Sequence, residues 1–265
     1  MFINNSDFTY NIYKNLINSF LENNYQIISV EDFFNNKYNS SKIVVLRHDI
    51  DRRISNVENI AKIDSEHQIS SSFHFRAGTK RFFKPSVIEK IIDLGHTIGY
   101  HYEDLANNHG NYKKALHSFE SNLAKIRELY PVTTISMHGS PLSKWDNRWL
   151  WTKYDYKKYG IIGEPFFDTN FSNVLYLSDT GRKWNNFRYN IRDRVETPFD
   201  IQSLTTSELM DKIRQGLLPC QIMLNSHTHY WTDNTLIWYR IYIWQGIKNF
   251  FKHIVIKYGL RDRYK

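Results

Sequence analysis

The chain has 265 residues, 41% hydrophobic and 16% aromatic, with a formal net charge of +8. That length fits one large domain with a sizeable core, since α/β barrels of this size are commonly single. The basic excess is dispersed and has no Lys/Arg block, so nucleic-acid binding is not indicated; one cysteine, Cys220, excludes an internal disulfide framework and fits a reducing compartment.

The first residues, MFINNSDFTYNIYKNLINSF, hold no apolar run of the signal-peptide kind. No window offers about 18 uninterrupted apolar residues, so no spanning helix and a cytoplasmic location are expected. Phe8, Ile12, Leu16, Ile17, Phe20 and Leu21 recur at helical spacing and predict an amphipathic helix over 8–23. A short helix over 31–36 follows. The apolar run Ile43 to Leu46 predicts a buried strand over 43–48 that runs into Arg47, His48, Asp49, Ile50 and Asp51. A helix over 53–66 leads to a second strand, 69–75, ending at His74 and Arg76. Pro85 opens a helix that Gly95 stops.

Residues 97–101 form a third predicted strand, running into Tyr102, Glu103 and Asp104. A long helix, 111–129, closes at Pro131. A fourth strand, 133–138, ends in His138-Gly139-Ser140-Pro141. Helix 146–156, a short strand at 160–163 and another at 174–177 follow, the last leading into Asp179. Helix 205–216 precedes the final strand, 221–224, and then His227 and His229. Alternating strands and helices predict a mostly parallel sheet or barrel. There is no repeat or linker, so residues 1–265 are expected to be one domain. Its core spans about 40–232, with N-terminal helices in 1–38 and a basic aromatic helix over 236–265.

The strand ends carry, in turn, Asp49/Asp51, His74, His101/Glu103, His138, Asp179 and His227/His229. In a parallel barrel these ends share the face where active sites sit. Asp49 and Asp51, two positions apart, point to one side of an extended chain, which suits binding a cation or sharing a proton. The bland alternative for Asp51 is capping the next helix. His101 with Asp51 is the strongest metal candidate, set against a merely hydrogen-bonded strand-end histidine. His138 is open between ligand, substrate contact and turn residue. His227 suits a general acid near neutral pH, and His229 a supporting position. His96 is expected at the opposite end, in a structural role. Trp145, Trp149, Trp151, Trp184 and Trp231 offer a sugar-stacking wall or a core. Ser140 and Ser226 lack the nucleophile-elbow pattern, and Cys220 precedes its strand at the wrong end.

In this order and spacing, LRHDID, GHTIGYHYEDL, MHGSP and LNSHTHYW resemble the polysaccharide deacetylase superfamily, the family-four carbohydrate esterases. The likeness is nearest to a divergent branch associated with bacterial surface-polysaccharide genes. It spans roughly residues 40–232. The resemblance implies an irregular (β/α) barrel of about seven parallel strands, a divalent metal, most often zinc, and removal of N- or O-acetyl groups from sugars. By position, Asp49 matches the family's general base and His227 its general acid. His101 matches the first ligand histidine. The second Asp of the family's Thr-Phe-Asp-Asp-Gly motif falls on Ile50 and its second ligand histidine on Leu105, neither of which ligates. Asp51 is the natural substitute for the first, and Glu103 or His138 for the second.

The expectation is a metal-dependent carbohydrate deacetylase with catalytic Asp49 and His227 and metal ligands among Asp51, His101, Glu103 and His138. His48, Arg76, Asp179, Trp184 and Trp231 are expected to contact the carbohydrate. An inactive carbohydrate-binding or assembly protein on the same barrel is the alternative. The tail, 236–265, reads either as a closing helix or as an interfacial helix at the inner membrane face.

Overall fold

Seven parallel strands build one sheet in the computed structural model, which describes residues 6–79, 81–141, 143–185, 192–201 and 203–257, with side chains to 250. They are β1 (Gln26–Ile28), β2 (Ile43–Ile50), β3 (Ser72–Phe75), β4 (Thr97–Tyr102), β5 (Ile135–Met137), β6 (Leu175–Ser178) and β7 (Gln221–Ser226). The order is β5-β4-β3-β2-β7-β6. β7 runs along one side of β2. The other side is shared, β1 pairing with Ile43 to Val45 and β3 with Arg47 to Ile50. The sheet curls into a half-barrel, the irregular barrel expected from the sequence.

Parallel neighbours need crossovers, and helices supply them. These are α1 (Tyr10–Glu22), α2 (Val30–Phe34), α3 (Val57–Glu66), α4 (Pro85–Asp93), α5 (Asp104–Asn107), α6 (Tyr112–Arg127), α7 (Pro165–Asp168), α8 (Thr206–Arg214) and α9 (Thr235–Lys257). Side-chain caps fix several starts. Thr9, Ser29 and Asn111 each accept from a backbone N–H in the first turn, and Thr205 with Glu208 makes a full capping box on α8. Pro85 stands at the start of α4 as predicted. Three expectations shift. The helix over 146–156 is a tighter run, Asn147–Thr152, started by Asp146. The strand at 160–163 reduces to one bridge from Gly163 to Thr134. The unpredicted β1 takes its place in the sheet.

Period-two alternation sorts β2 into two faces. Val44, Leu46 and Ile50 point outward into the large core beneath α1, α3 and α4, with Leu16, Phe20, Ile60 and Ile88. Ile43 and Val45 point inward and fill the bottom of the half-barrel with Val174, Tyr176 and Met223. Burying each such side chain fully is worth about 1.5–3 kcal/mol. Above that apolar plug, the same inward face carries Arg47 and Asp49, both buried. The site begins there.

Candidate active site

Register carries the inward row across the sheet. Asp49 pairs with His74 and His74 with Gly99, one step below the level of His101, which pairs with Ser136. The row needs a glycine. A Cβ on Gly99 would stand 2.2 Å from the His74 ring. His74 is fully buried, and burial holds its pKa down at about 3, so it is a neutral wall beside Asp49.

Asp51, just past β2, is the meeting point of three strand ends. Its Oδ1 lies 3.1 Å from His101 Nε2 and 3.5 Å from His138 Nε2, and its Oδ2 lies 3.7 Å from His227 Nε2. The helix-capping alternative for Asp51 therefore gives way to these contacts. His101 Nδ1 donates to the Ser136 carbonyl at 3.0 Å, which fixes the ring with its Nε2 toward Asp51. His138 repeats the device. Its Nδ1 lies 3.2 Å from Glu103 Oε2 and 3.0 Å from Ser140 Oγ.

These three donors fit a divalent cation. Tetrahedral zinc with ligands at about 2.0–2.2 Å sets its donors roughly 3.4 Å apart, close to the two distances at Asp51 Oδ1. Asp51, His101 and His138 offer atoms that all lie within 4.8 Å of one another. Glu103 does not join the triad, which corrects its expected place among the ligands. Arg76 grips both its oxygens, Nε to Oε1 at 2.9 Å and Nη2 to Oε2 at 2.5 Å, so the carboxylate serves to orient His138. Burial opposes its ionisation, but His138 and Arg76 hold its pKa down at about 2. Arg76 lines the cleft and also donates to the Asp51 carbonyl at 3.2 Å.

Asp49 is held differently. Arg47 Nη2 lies 3.1 Å from its Oδ2, and Asn225 Nδ2 donates to the same oxygen at 3.0 Å. Its other oxygen is buried without a hydrogen-bond partner among the described residues. Burial would raise its pKa, but Arg47 and the surrounding histidines bring it down to about 2, so it is an ionised carboxylate with one free oxygen. Arg47 also donates to Tyr176 OH at 3.0 Å, and Tyr176 to Asp193 Oδ1 at 2.5 Å. Neither Arg47 nor Asn225 was among the residues singled out from sequence. Arg47 stands at i−2 from Asp49, so alternation alone would have placed the two together.

His227 stands across the cleft. Asp179, fully buried, accepts from His227 Nδ1 at 2.6 Å and from its backbone N–H at 3.0 Å. Burial opposes the charged ring, yet Asp179 raises its pKa to about 10. Asp179 was expected to touch substrate. It is instead the partner that holds this imidazole. Trp231 supports the pair from behind, Nε1 to Ser226 Oγ at 2.8 Å and Ser226 Oγ to Asp179 Oδ2 at 3.3 Å.

Three more expected substrate contacts fail because their side chains are buried away from the cleft, His48 on the outward side of β2 and the two tryptophans in loops packed into the core. His48 is buried under α1 and α3, with Nδ1 on the Ser226 carbonyl (3.1 Å) and Nε2 on Asp64 Oδ2 (3.0 Å). Trp184 is wholly buried, with Nε1 donating to Thr206 Oγ1 at 3.0 Å, and Trp231 packs between Phe8 and Tyr13. Trp145, Trp149 and Trp151 also pack onto the core. No tryptophan lines the cleft, so the sugar-stacking wall is absent among the described residues. His96 sits at the opposite end, as expected, bonded to Ser71 and the Ala61 carbonyl.

The cleft measures about 420 Å³ and is lined by these groups with Arg192, His229 and Lys248. Arg192, which nothing in the sequence marks, donates to the carbonyls of Gly139, Ser140 and Ser143 and so fastens the loop that follows His138. A larger hollow of about 1080 Å³ opens under α9, lined by Asp7, Arg182 and Trp238. None of the clustered carboxylate and imidazole groups reaches it; they all gather at the smaller cleft.

No family model and no curated protein matches the sequence. Among solved structures, a CE4 esterase of Streptococcus mutans is similar at 13% identity and a TM-score of 0.45, over 83% of this chain and 86% of that one.

Proposed function

We propose that the chain is a metal-dependent hydrolase that removes an acetyl group from a sugar or polysaccharide intermediate. The observation that carries this is the division of one cleft into three parts: a three-donor cation site, an ionised carboxylate with a free oxygen, and a carboxylate-held imidazole. The substrate class and a role in surface-polysaccharide assembly rest on the sequence resemblance.

Asp51, His101 and His138 would hold the ion. With a divalent ion bound, the site gains Lewis-acid polarisation of the acetyl carbonyl and a lowered pKa for water. Asp49 takes the proton from the attacking water, its free oxygen aimed by the grip of Arg47 and Asn225 on the other. His227 Nε2 gives a proton to the departing amine or alkoxide as the bond to the acetyl carbon breaks. Asp179 stabilises the charged ring until that step. The losses at Ile50 and Leu105 are compensated in this reading, because Asp51 reaches the point from one residue further on and His138 from β5.

Metal content and acetate release test the reading together. Protein purified without chelator should hold about one zinc, manganese, nickel or cobalt ion per chain and release acetate from acetylated oligosaccharides. Metal-free protein that binds such sugars without cleaving them would establish the non-catalytic alternative.

A further inference from the structure

Helix α9 turns its apolar side to water. Its inner side is fastened at intervals of three and four residues. Trp238 Nε1 donates to the Asp7 carbonyl at 2.8 Å, Ile241 and Gln245 are 7% and 5% exposed, and Asn249 Nδ2 donates to the Gly181 carbonyl at 3.0 Å. At about 100° per residue, the opposite side carries Leu236, Tyr239, Ile243, Trp244, Ile247 and Phe250. All are exposed, Ile243 by 59% and Phe250 by 63%. The face toward water is more apolar than the face toward the protein, the reverse of a helix that closes a barrel. Single exposed apolar residues are ordinary, but a continuous stripe of six marks a surface that something covers.

Charge identifies the cover. Residues 235–257 include Arg240, Lys248, Lys252 and Lys257 and no acidic residue. The loop after β2 adds Arg52 and Arg53. Partial burial lowers the Arg53 pKa, and the like charges of Arg240 and Arg52 lower it further, so the three arginines form one cluster. Among the described residues no carboxylate ion-pairs with any of them. A second copy of the chain would bring the same positive charge to the same place and be repelled. An anionic bilayer answers both features, and no described helix is long and apolar enough to cross one.

We propose that this face of α9 lies on the surface of a membrane containing anionic lipid, its aromatic and aliphatic side chains in the headgroup–acyl boundary and the arginines against lipid phosphates. Arg52 and Lys248 also line the catalytic cleft, so docking sets the cleft mouth beside the bilayer. The surface binding stands independently of the hydrolase reading.

Co-sedimentation of the intact chain decides it. One vesicle set is pure phosphatidylcholine, and in the other roughly one-quarter is phosphatidylglycerol. The chain should pellet with the second set only and dissociate as salt rises. Ile243→Asp with Ile247→Asp should weaken partition about tenfold or more, and so should Arg240→Glu alone. Circular dichroism checks the fold, and if the double variant misfolds the single charge reversal carries the test. Protein that stays in the supernatant with anionic vesicles at low salt overturns the proposal. So does a dimer, seen by light scattering, that the aspartates split in a chain that binds no vesicles.

Discussion

Asp49 and Asp51 lie two residues apart on one face, yet their neighbours give them different chemistry. Arg47 and Asn225 occupy one oxygen of Asp49, while Asp51 faces imidazole nitrogens fixed from behind by Ser136 and Glu103. Asp51→Ala, His101→Ala and His138→Ala should each lose the bound metal, whereas Asp49→Asn should keep it and release no acetate. Full metal occupancy in the three alanine variants, measured by plasma emission, would remove the assignment. Glu103→Gln should weaken metal affinity by about 10- to 100-fold, the usual penalty for losing a group that orients a ligand. For His227 the sign follows from Asp179, which raises the imidazole pKa from 6.5 to about 10. A general acid works while protonated, so the alkaline limb of the rate should lie above the ordinary imidazole value. Asp179→Asn should move that limb to lower pH. A limb that does not move when Asp179 is changed would take the pair out of the mechanism.

At the scale of elements, α5 and the β3–β4 contact fix the floor of the site. Asp104 opens α5 and accepts from Tyr100 OH (2.6 Å), Ser118 Oγ (2.6 Å) and Asn122 Nδ2 (2.9 Å), tying β4, α5 and α6 together. Burial outweighs these donors and raises its pKa from 3.8 to about 6. The folded protein therefore holds this proton more tightly than the unfolded chain. Its contribution to stability is complete below about pH 4 and is lost as pH rises through about 6. The change is on the order of 3 kcal/mol. Urea titrations across that window should show the decline in wild type and a flatter curve in Asp104→Asn; parallel curves would refute it. On the neighbouring strands, Gly99→Ala should cost about 1–3 kcal/mol, because the new methyl enters the His74 ring and neither strand has room to move. A thermal midpoint unchanged from wild type would show that the His74 ring gives way without strain.

For the whole molecule, the candidate cation site joins the ends of β2, β4 and β5, elements distant in sequence, so an ion bound there would stabilise only the assembled half-barrel. Zinc at about 100 times its Kd should add about 2.7 kcal/mol, a rise of roughly 5–10 °C in Tm for a chain of this size. His101→Ala should abolish the shift. The same rise in that variant would place the metal elsewhere.

The order of strands and helices was legible from local pattern alone: the apolar run before Asp49, Pro85 and Gly95 bounding α4, and the polar residues after each strand. Those signals depend on neighbours in sequence, and they placed Asp49, Asp51, His101, His138 and His227 on one rim. What they left open was decided by pairing across the sheet. Whether His138 or Glu103 completes the cation site depends on Arg76, 27 residues before Glu103, claiming the carboxylate. His48 leaves the cleft because alternation on β2 sends it outward under α1 and α3, and Trp231 because the turn after β7 packs it between Phe8 and Tyr13, partners far away in sequence. Asp179 became the support of His227 only once β6 lay beside β7. The sequence by itself determined the repertoire of side chains and their order along the rim. Tertiary structure decided which of them stand together as hydrogen-bond partners, as a candidate cation site or as a wall, because those relations depend on distances of a few ångströms between residues far apart in the chain.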